Sequence, residues 1–431
     1  MNPIIRLGVS NTVFYLCSQF SNLFINIYVY QDFHSLRING LYNAIMYAAW
    51  IAAFAVGTRI SERSAKWNLM ISSLCGIGAL ALLMAMPHRL YADLLIAVVV
   101  GVSSGFYWVA YNVIFYVFSQ TGERTRRMAR FNLATGLIAI VMPTMSAYVI
   151  HFLGYDVAFS IVMMLFIVIF VLSLGFPTLS FRQHDAKQDN ALRTSGVTAT
   201  GYALGVKMGV TPSLRDDDSE IPNDVEWNRK SGLAHLREWM PAGFAMFALA
   251  LISGGYYLNF IGFASGVLLY SYGSGITGAG WMNTLYALFS AGTTTLIGYG
   301  IRSSSDSRRQ TYGWIGALAA TVGTSLLFSH HKAMLIGFNV VVSLANPLFT
   351  SLLSAQQFDA VGTLYPNVAR GFLVRESLYS VARIGLFSYV AIFGLQAGSV
   401  AYIIFVALLC SAPLVAVAWN LRITRIPSVL R

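Results

Sequence analysis

Residues 39–86 read NGLYNAIMYAAWIAAFAVGT (39–58), RISERSAK (59–66) and WNLMISSLCGIGALALLMAM (67–86). Two runs of 20 uncharged residues flank a loop that holds Arg59, Glu62, Arg63 and Lys66. A helix rises 1.5 Å per residue, so each run extends about 30 Å, the thickness of the hydrocarbon core of a bilayer. The stretch predicts two membrane-crossing helices joined by a short basic loop.

Working outward, the same pattern fills most of the chain. Of its 431 residues, 56% are hydrophobic and only 10% are charged, against roughly 25% charged in soluble domains. A chain so poor in charge could not cover its own surface in water. Apolar runs recur at 8–30, 39–58, 67–86, 92–117, 131–153, 157–178, 241–263, 278–300, 311–329, 333–356, 372–395 and 398–420. The fold class expected is an all-α membrane protein with 12 transmembrane helices.

The basic residues orient these spans. With the N-terminus inside, 24 of the 28 Lys and Arg residues fall on the cytoplasmic side. Only Arg37, Arg89 and Lys332 fall outside, and Arg383 lies within a span. Such loop-by-loop alternation is the positive-inside signature. Both termini are expected in the cytoplasm. The outer loops are short and lack an Asn-x-Ser/Thr acceptor, which fits a bacterial cytoplasmic (inner) membrane.

Several function classes drop away. The net charge of +11 is spread over loops rather than on a basic helix interleaved with aromatics, so no nucleic-acid partner is expected. Cys17, Cys75 and Cys410 lie inside apolar runs and read as packing residues, with no disulfide framework and no CxxC metal site. No cleavable signal peptide is read at the start of the sequence. No HExxH, nucleophile elbow or phosphate loop appears, so no cofactor, metal or catalytic residue is expected. The seven histidines fall in loops or at span ends.

Between spans six and seven the composition changes. Residues 181–240 are polar and carry the acidic patch Asp216-Asp217-Asp218-Ser219-Glu220, without the ligand spacing of a calcium loop. Residues 228–239 place Leu233, Leu236 and Trp239 on one side, as in a helix lying on the inner leaflet. The chain divides into a six-helix bundle (1–180), a cytoplasmic linker (181–240) and a second six-helix bundle (241–431).

The halves echo one another. Gly57-Thr-Arg59-Ile-Ser-Glu62-Arg63-Ser-Ala-Lys66 follows span two, and Gly298-Tyr-Gly300-Ile-Arg302-Ser-Ser-Ser-Asp306-Ser-Arg308-Arg309 follows span eight. Arg130-Phe-Asn132 and Arg375-Glu376-Ser377 form a second pair, at the entries to spans five and eleven. Repeated halves are the plan of a large transporter class. The layout resembles the major facilitator superfamily over essentially the whole chain outside the linker. The loop after span two is similar to that superfamily's glycine–acid–arginine motif, with Glu62 one residue late and Ala65 where glycine is common. Span five has Ala139 and Pro143 but not the full Gly-Pro-rich pattern of the antiporters. The resemblance implies the fold and no particular subfamily.

The resemblance also implies that spans 1, 4, 7 and 10 line a central cavity. Span 1 carries Tyr15, Gln19, Asn22 and Asn26 on one helical stripe, which must face protein or water rather than lipid. Span 4 offers Ser104, Trp108, Tyr111 and Asn112, with Gly101 and Gly105 behind them as a close-packing pair. Span 7 offers Tyr256 and Asn259, and span 10 offers Asn339 and Asn346. Each amide on its own could as well join two helices as touch a ligand. Since these helices lack buried carboxylates, a neutral polar or amphipathic substrate fits better than a metal ion.

In span 11, Glu376, Tyr379, Ser380 and Arg383 share one face. An Arg in mid-membrane costs about 2.5–3.5 kcal/mol on insertion scales, so it needs a partner or a purpose. A structural pair with Glu376, bridged by Tyr379 or another helix, ranks first. A dock for an anionic group ranks second, and a proton relay through Glu376, with protons as the coupling ion, ranks third. Glu62, Arg63, Arg130 and Asp306 are gate candidates, the two acids latching the cytoplasmic side.

The function expected is a secondary transporter, monomeric in the bilayer, moving a small molecule by alternating access. A membrane-embedded enzyme or a sensor on the same scaffold is the alternative.

Overall fold

The computed structural model describes residues 3–61, 64–86, 89–118, 124–176, 240, 243–301, 306–365, 368–396 and 398–423. Glu62, Arg63 and the proposed interfacial helix lie outside these residues. Asn22, Arg130 and Asp306 sit on described helices, with their side chains outside the description.

Among the described residues the regular structure is helical. The α-helices are α1 (Pro3–Phe33), α2 (Leu36–Ser61), α3 (Ala65–Ala85), α4 (Leu90–Phe118) and α5 (Arg124–Leu174). They continue with α6 (Phe244–Phe263), α7 (Gly275–Ile301), α8 (Asp306–Ser325), α9 (Lys332–Leu364), α10 (Val368–Phe393) and α11 (Val400–Ile423). Eight segments of the described residues are long and apolar enough to cross a membrane. One of them, Thr135–Leu174, has 40 residues, which as one straight helix would reach about 60 Å, twice the hydrocarbon thickness. The break falls at Gly154, with φ 84° and ψ 172°, a backbone conformation that residues with a Cβ avoid. α5 is therefore two rods. Phe244–Leu296, with 53 residues, is likewise divided: α6 runs on through π-helical turns to Ser274 before α7 begins. α1 and α10 are missing from the eight because their polar residues interrupt the apolar windows.

The apolar side chains gather into two main cores. One is built from residues between Leu7 and Phe176, joined by Ala279, and the other from residues between Tyr257 and Val417, joined by Ala44. Outside the bundle, Phe152, Met164, Leu296 and Val400 are 63–75% exposed. Exposed apolar side chains on this scale mark a surface meant for an apolar partner, here the acyl chains.

Close packing follows the small residues. A Cβ on Gly101 or Gly105 would collide with the carbonyl of Met46 or Trp50, so α4 rests directly on the backbone of α2. In the loop of the resemblance, Asn68 donates to the Gly57 carbonyl at 2.8 Å and the Ser61 hydroxyl at 2.6 Å, closing the end of α2.

The two halves meet along α2 with α10 and along α5 with α7. A Cβ on Gly40 would sit 2.7 Å from the Ala391 amide and 2.9 Å from the Phe387 carbonyl. A Cβ on Gly280 would sit 2.5 Å from the Ala147 side chain and 2.8 Å from the Pro143 carbonyl. Beside it, the Thr144 and Thr284 hydroxyls are 2.7 Å apart, and Thr284 donates to the Ile140 carbonyl at 2.8 Å. Gly40 and Gly280 each lie within the first two turns of their helices, at the end of the bundle that carries the α1–α2 turn. There, Gln31 donates to the Tyr270 hydroxyl at 2.8 Å, tying the two halves again.

Candidate functional site

The polar residues of the spans separate into distinct groups. On α1, Gln19 is hydrogen-bonded to Tyr15, and both are partly buried. Asn26 faces α2. Its side-chain oxygen accepts from Asn43 at 2.6 Å, and its carbonyl accepts from Asn39 at 2.6 Å. Asn43 also donates to the Asn39 carbonyl at 2.8 Å. This amide cluster joins helices. On α4, Trp108 meets Tyr111 edge-on at 5.5 Å and Phe14 of α1 at 6.3 Å, and Tyr111 stacks on Phe115 at 5.9 Å. Asn112 lies one position on, partly buried.

On α6, Asn259 accepts from the hydroxyl of Tyr47 on α2 at 3.3 Å and donates to the Gly255 carbonyl at 2.6 Å. Tyr256 packs on Phe405 at 6.0 Å, its hydroxyl sealed without a partner. On α9, Asn339 is 1% exposed and donates to the Leu335 carbonyl of its own helix at 2.9 Å. The side-chain oxygen of Asn346 is buried without a partner, while its backbone carbonyl accepts from Thr350 at 2.8 Å.

The densest polar constellation lies where α2 meets α10. The Arg383 guanidinium lies 5.0 Å from the ring centroid of Tyr47, 4.9 Å from that of Trp50 and 5.7 Å from that of Tyr379. Cation–ring contacts within about 6 Å are attractive, most of all where water is excluded. The Arg375 guanidinium lies 5.7 Å from the centroid of the same Tyr379 ring. The Tyr379 hydroxyl donates to Gln357 of α9 at 2.9 Å.

Glu376 and Arg383 do not pair directly. Glu376, 8% exposed, faces Arg375 at 3.9 Å, and among the described residues no carboxylate lies within 4.0 Å of Arg383. The reason is geometric: seven residues along a helix is about 10 Å, too far for one side chain to span. Arg383 is held by rings instead.

The structure thus brings Asn259 and Arg383 together through Tyr47, but leaves Asn339 in the core of the second half and Asn26 in a joint between α1 and α2. Sequence reading missed Tyr47, Trp50 and Gln357. Tyr47 and Trp50 share a face of α2 at i, i+3 spacing, a pattern indistinguishable from ordinary packing until the residue opposite is known.

Comparison with known proteins agrees with this architecture. A family model described as Major Facilitator Superfamily matches residues 7–208. An uncharacterized protein in the sodM 3' region of Geobacillus stearothermophilus is 28% identical over 146 residues, covering 32% of this chain and 68% of the relative. The uncharacterized protein YqgE of Bacillus subtilis (strain 168) is 24% identical over 159 residues, covering 36% of this chain and 37% of the relative. Among solved structures, a D-xylose–proton symporter superposes with a TM-score of 0.62 at 13% identity, covering 97% of each chain. The nucleoside transporter NupG superposes with 0.62 at 12%, covering 99% of this chain and 100% of the other. A peptide transporter POT in complex with sulfate gives 0.63 at 12%, covering 99% and 94%. At such identities the likeness is one of fold.

Proposed function

We propose that this chain is a transporter of the major facilitator superfamily, whose family model matches residues 7–208, and that it carries a small organic molecule across a bacterial cytoplasmic membrane by alternating access, as a monomer. The relatives of like fold transport a sugar, nucleosides and peptides. The substrate of this chain is read from its own residues.

The observation that carries the reading is where the halves touch. Gly40 against α10 and Gly280 against α5 bring backbones into contact at one end of the bundle, and the Gln31–Tyr270 bond reinforces that end. With the N-terminus in the cytoplasm, that end is the outer one. The arrangement is then closed to the outside, and rocking about the midplane exposes the site to each face in turn. Glu62 and Asp306 are the acids proposed to latch the inner side in the opposite state, Glu62 by meeting the N-terminus of span 11, whose dipole favours an anion, and Asp306 by meeting span 5 near Arg130. Glu376 is the candidate proton carrier, being a carboxylate buried beside Arg375.

Purified protein in proteoliposomes tests the proposal. Counterflow of a compound selected by binding, abolished by Gly40→Trp, is the expected result. Binding with no flux under any gradient would instead leave a sensor on a transporter scaffold.

A further inference from the structure

Four nitrogen donors where α2, α9 and α10 converge lack an acceptor: Arg383 Nε, Arg383 Nη1, Trp50 Nε1 and Gln357 Nε2. All four are sealed from water. Gln357 is 1% exposed, and its side-chain oxygen is already taken by the Tyr379 hydroxyl at 2.9 Å. A guanidinium stays protonated in proteins, so Arg383 cannot resolve its situation by losing a proton. Buried donors without acceptors are strongly disfavoured. The deficit here is one-sided: the cluster offers donors and a positive charge, and it lacks acceptors and a negative charge.

From this we infer that the site takes an amphipathic organic monocarboxylate, its carboxylate docking on Arg383 and its apolar body lying among Tyr47, Trp50 and Tyr379. The inference rests on the transport reading and names the substrate class for it. It also refines the neutral-or-amphipathic expectation drawn from the sequence. A carboxylate matches the planar guanidinium fork and accepts several hydrogen bonds at once, which is what the orphaned donors lack. A single negative charge is the complement, because Arg383 is one cation and Arg375 already faces Glu376 at 3.9 Å. The aromatic walls exclude a small hydrated anion and favour an apolar body. Arg383 as a whole residue is only partly buried. The joint between α2 and α10 is also where the two halves meet, so a ligand charge placed there bears on both.

The test uses the full-length protein in lipid nanodiscs, with 3-phenylpropionate, 3-phenylpropanamide, hexanoate, hexanamide and phenyl phosphate as probes. Tryptophan fluorescence and melting temperature report binding. The carboxylates should bind at least about tenfold more tightly than the matching amides and raise the melting temperature by about 3 °C or more at saturation. Arg383→Gln should erase that preference. Arg383→Lys, which keeps the charge but not the fork, should retain a weakened one. Equal binding of acid and amide, tighter binding of phenyl phosphate, no binding of any probe, or a preference that survives in Arg383→Gln would each overturn the inference. Should Arg383→Gln fold poorly, the wild-type acid–amide comparison and Arg383→Lys decide alone. Proteoliposome flux separates the two readings. Carboxylate binding without flux sinks the transporter and spares the site, whereas flux of amides with no carboxylate preference does the reverse.

Discussion

The indole of Trp50 lies 4.9 Å from the guanidinium of Arg383, so a ring from α2 in the first half faces a charge on α10 in the second. Their positions in the chain are far apart, and their contact forms part of the seam along which the halves meet. A cation–ring contact contributes about 0.5–2 kcal/mol, more when desolvated. Trp50→Leu should therefore lower the stability of the solubilised protein by about 1 kcal/mol, and Trp50→Phe by less. Unfolding in a denaturing-detergent titration measures both, and equal stability of all three proteins would remove the contact from the account.

The seam also rests on glycine. Gly40→Val places side-chain atoms where the Phe387 carbonyl and Ala391 amide now lie. It should prise the outer end apart and slow transport by at least about tenfold, since interiors close-packed to this degree do not absorb a branched side chain. Gly385→Ala is the control, as a Cβ there meets nothing within 4 Å. A cysteine placed at Gln31 should become reactive to an impermeant maleimide in Gly40→Val and stay protected in Gly385→Ala.

Asn26 serves as a joint in this structure. Asn43→Leu removes the donor to its side-chain oxygen. Interhelical hydrogen bonds in membranes contribute about 0.6 kcal/mol on average and up to about 1.7. The expected loss of stability falls in that range, with KM unchanged. A raised KM at unchanged stability would instead put Asn26 in the pathway.

Proton coupling and the latch call for different variants. Glu376→Gln should abolish uphill uptake driven by a pH gradient while leaving counterflow at a fixed pH intact. Glu62→Ala should slow both modes with no change in melting temperature. Preserved gradient-driven uptake in Glu376→Gln would exclude the proton role.

Orientation can be checked directly. A cysteine at Lys332 should label with an impermeant maleimide in intact cells. One at Arg126 should label only after permeabilisation. Labelling of both from the same side contradicts the topology.

Much of the fold is legible in one dimension because lipid imposes a one-dimensional rule. A span needs about 20 apolar residues, and the cytoplasmic loops need the basic ones. Even Gly101 and Gly105 could be read as a packing pair from their spacing, and the structure sets them on the backbone of α2. Gly40 and Gly280 could not, since Gly280 is one of four glycines between residues 273 and 280 with nothing to single it out, and the importance of both comes from a helix more than 100 residues away in sequence.

The candidate site divides in the same way. The presence of Arg383 in a span and the expense of leaving it there were plain from the sequence, because burial of charge in hydrocarbon depends on position along the helix alone. Its surroundings were not. Tyr47 and Trp50 reach it from α2, while Gln357 of α9 holds the Tyr379 ring beside it, and the arrangement of helices around one another is set by side-chain interlocking across the bundle. Composition marked this chain as one that crosses a membrane. Only packing decided that its buried cation is enclosed by rings and short of an acceptor, because that depends on which faces of three separate helices meet.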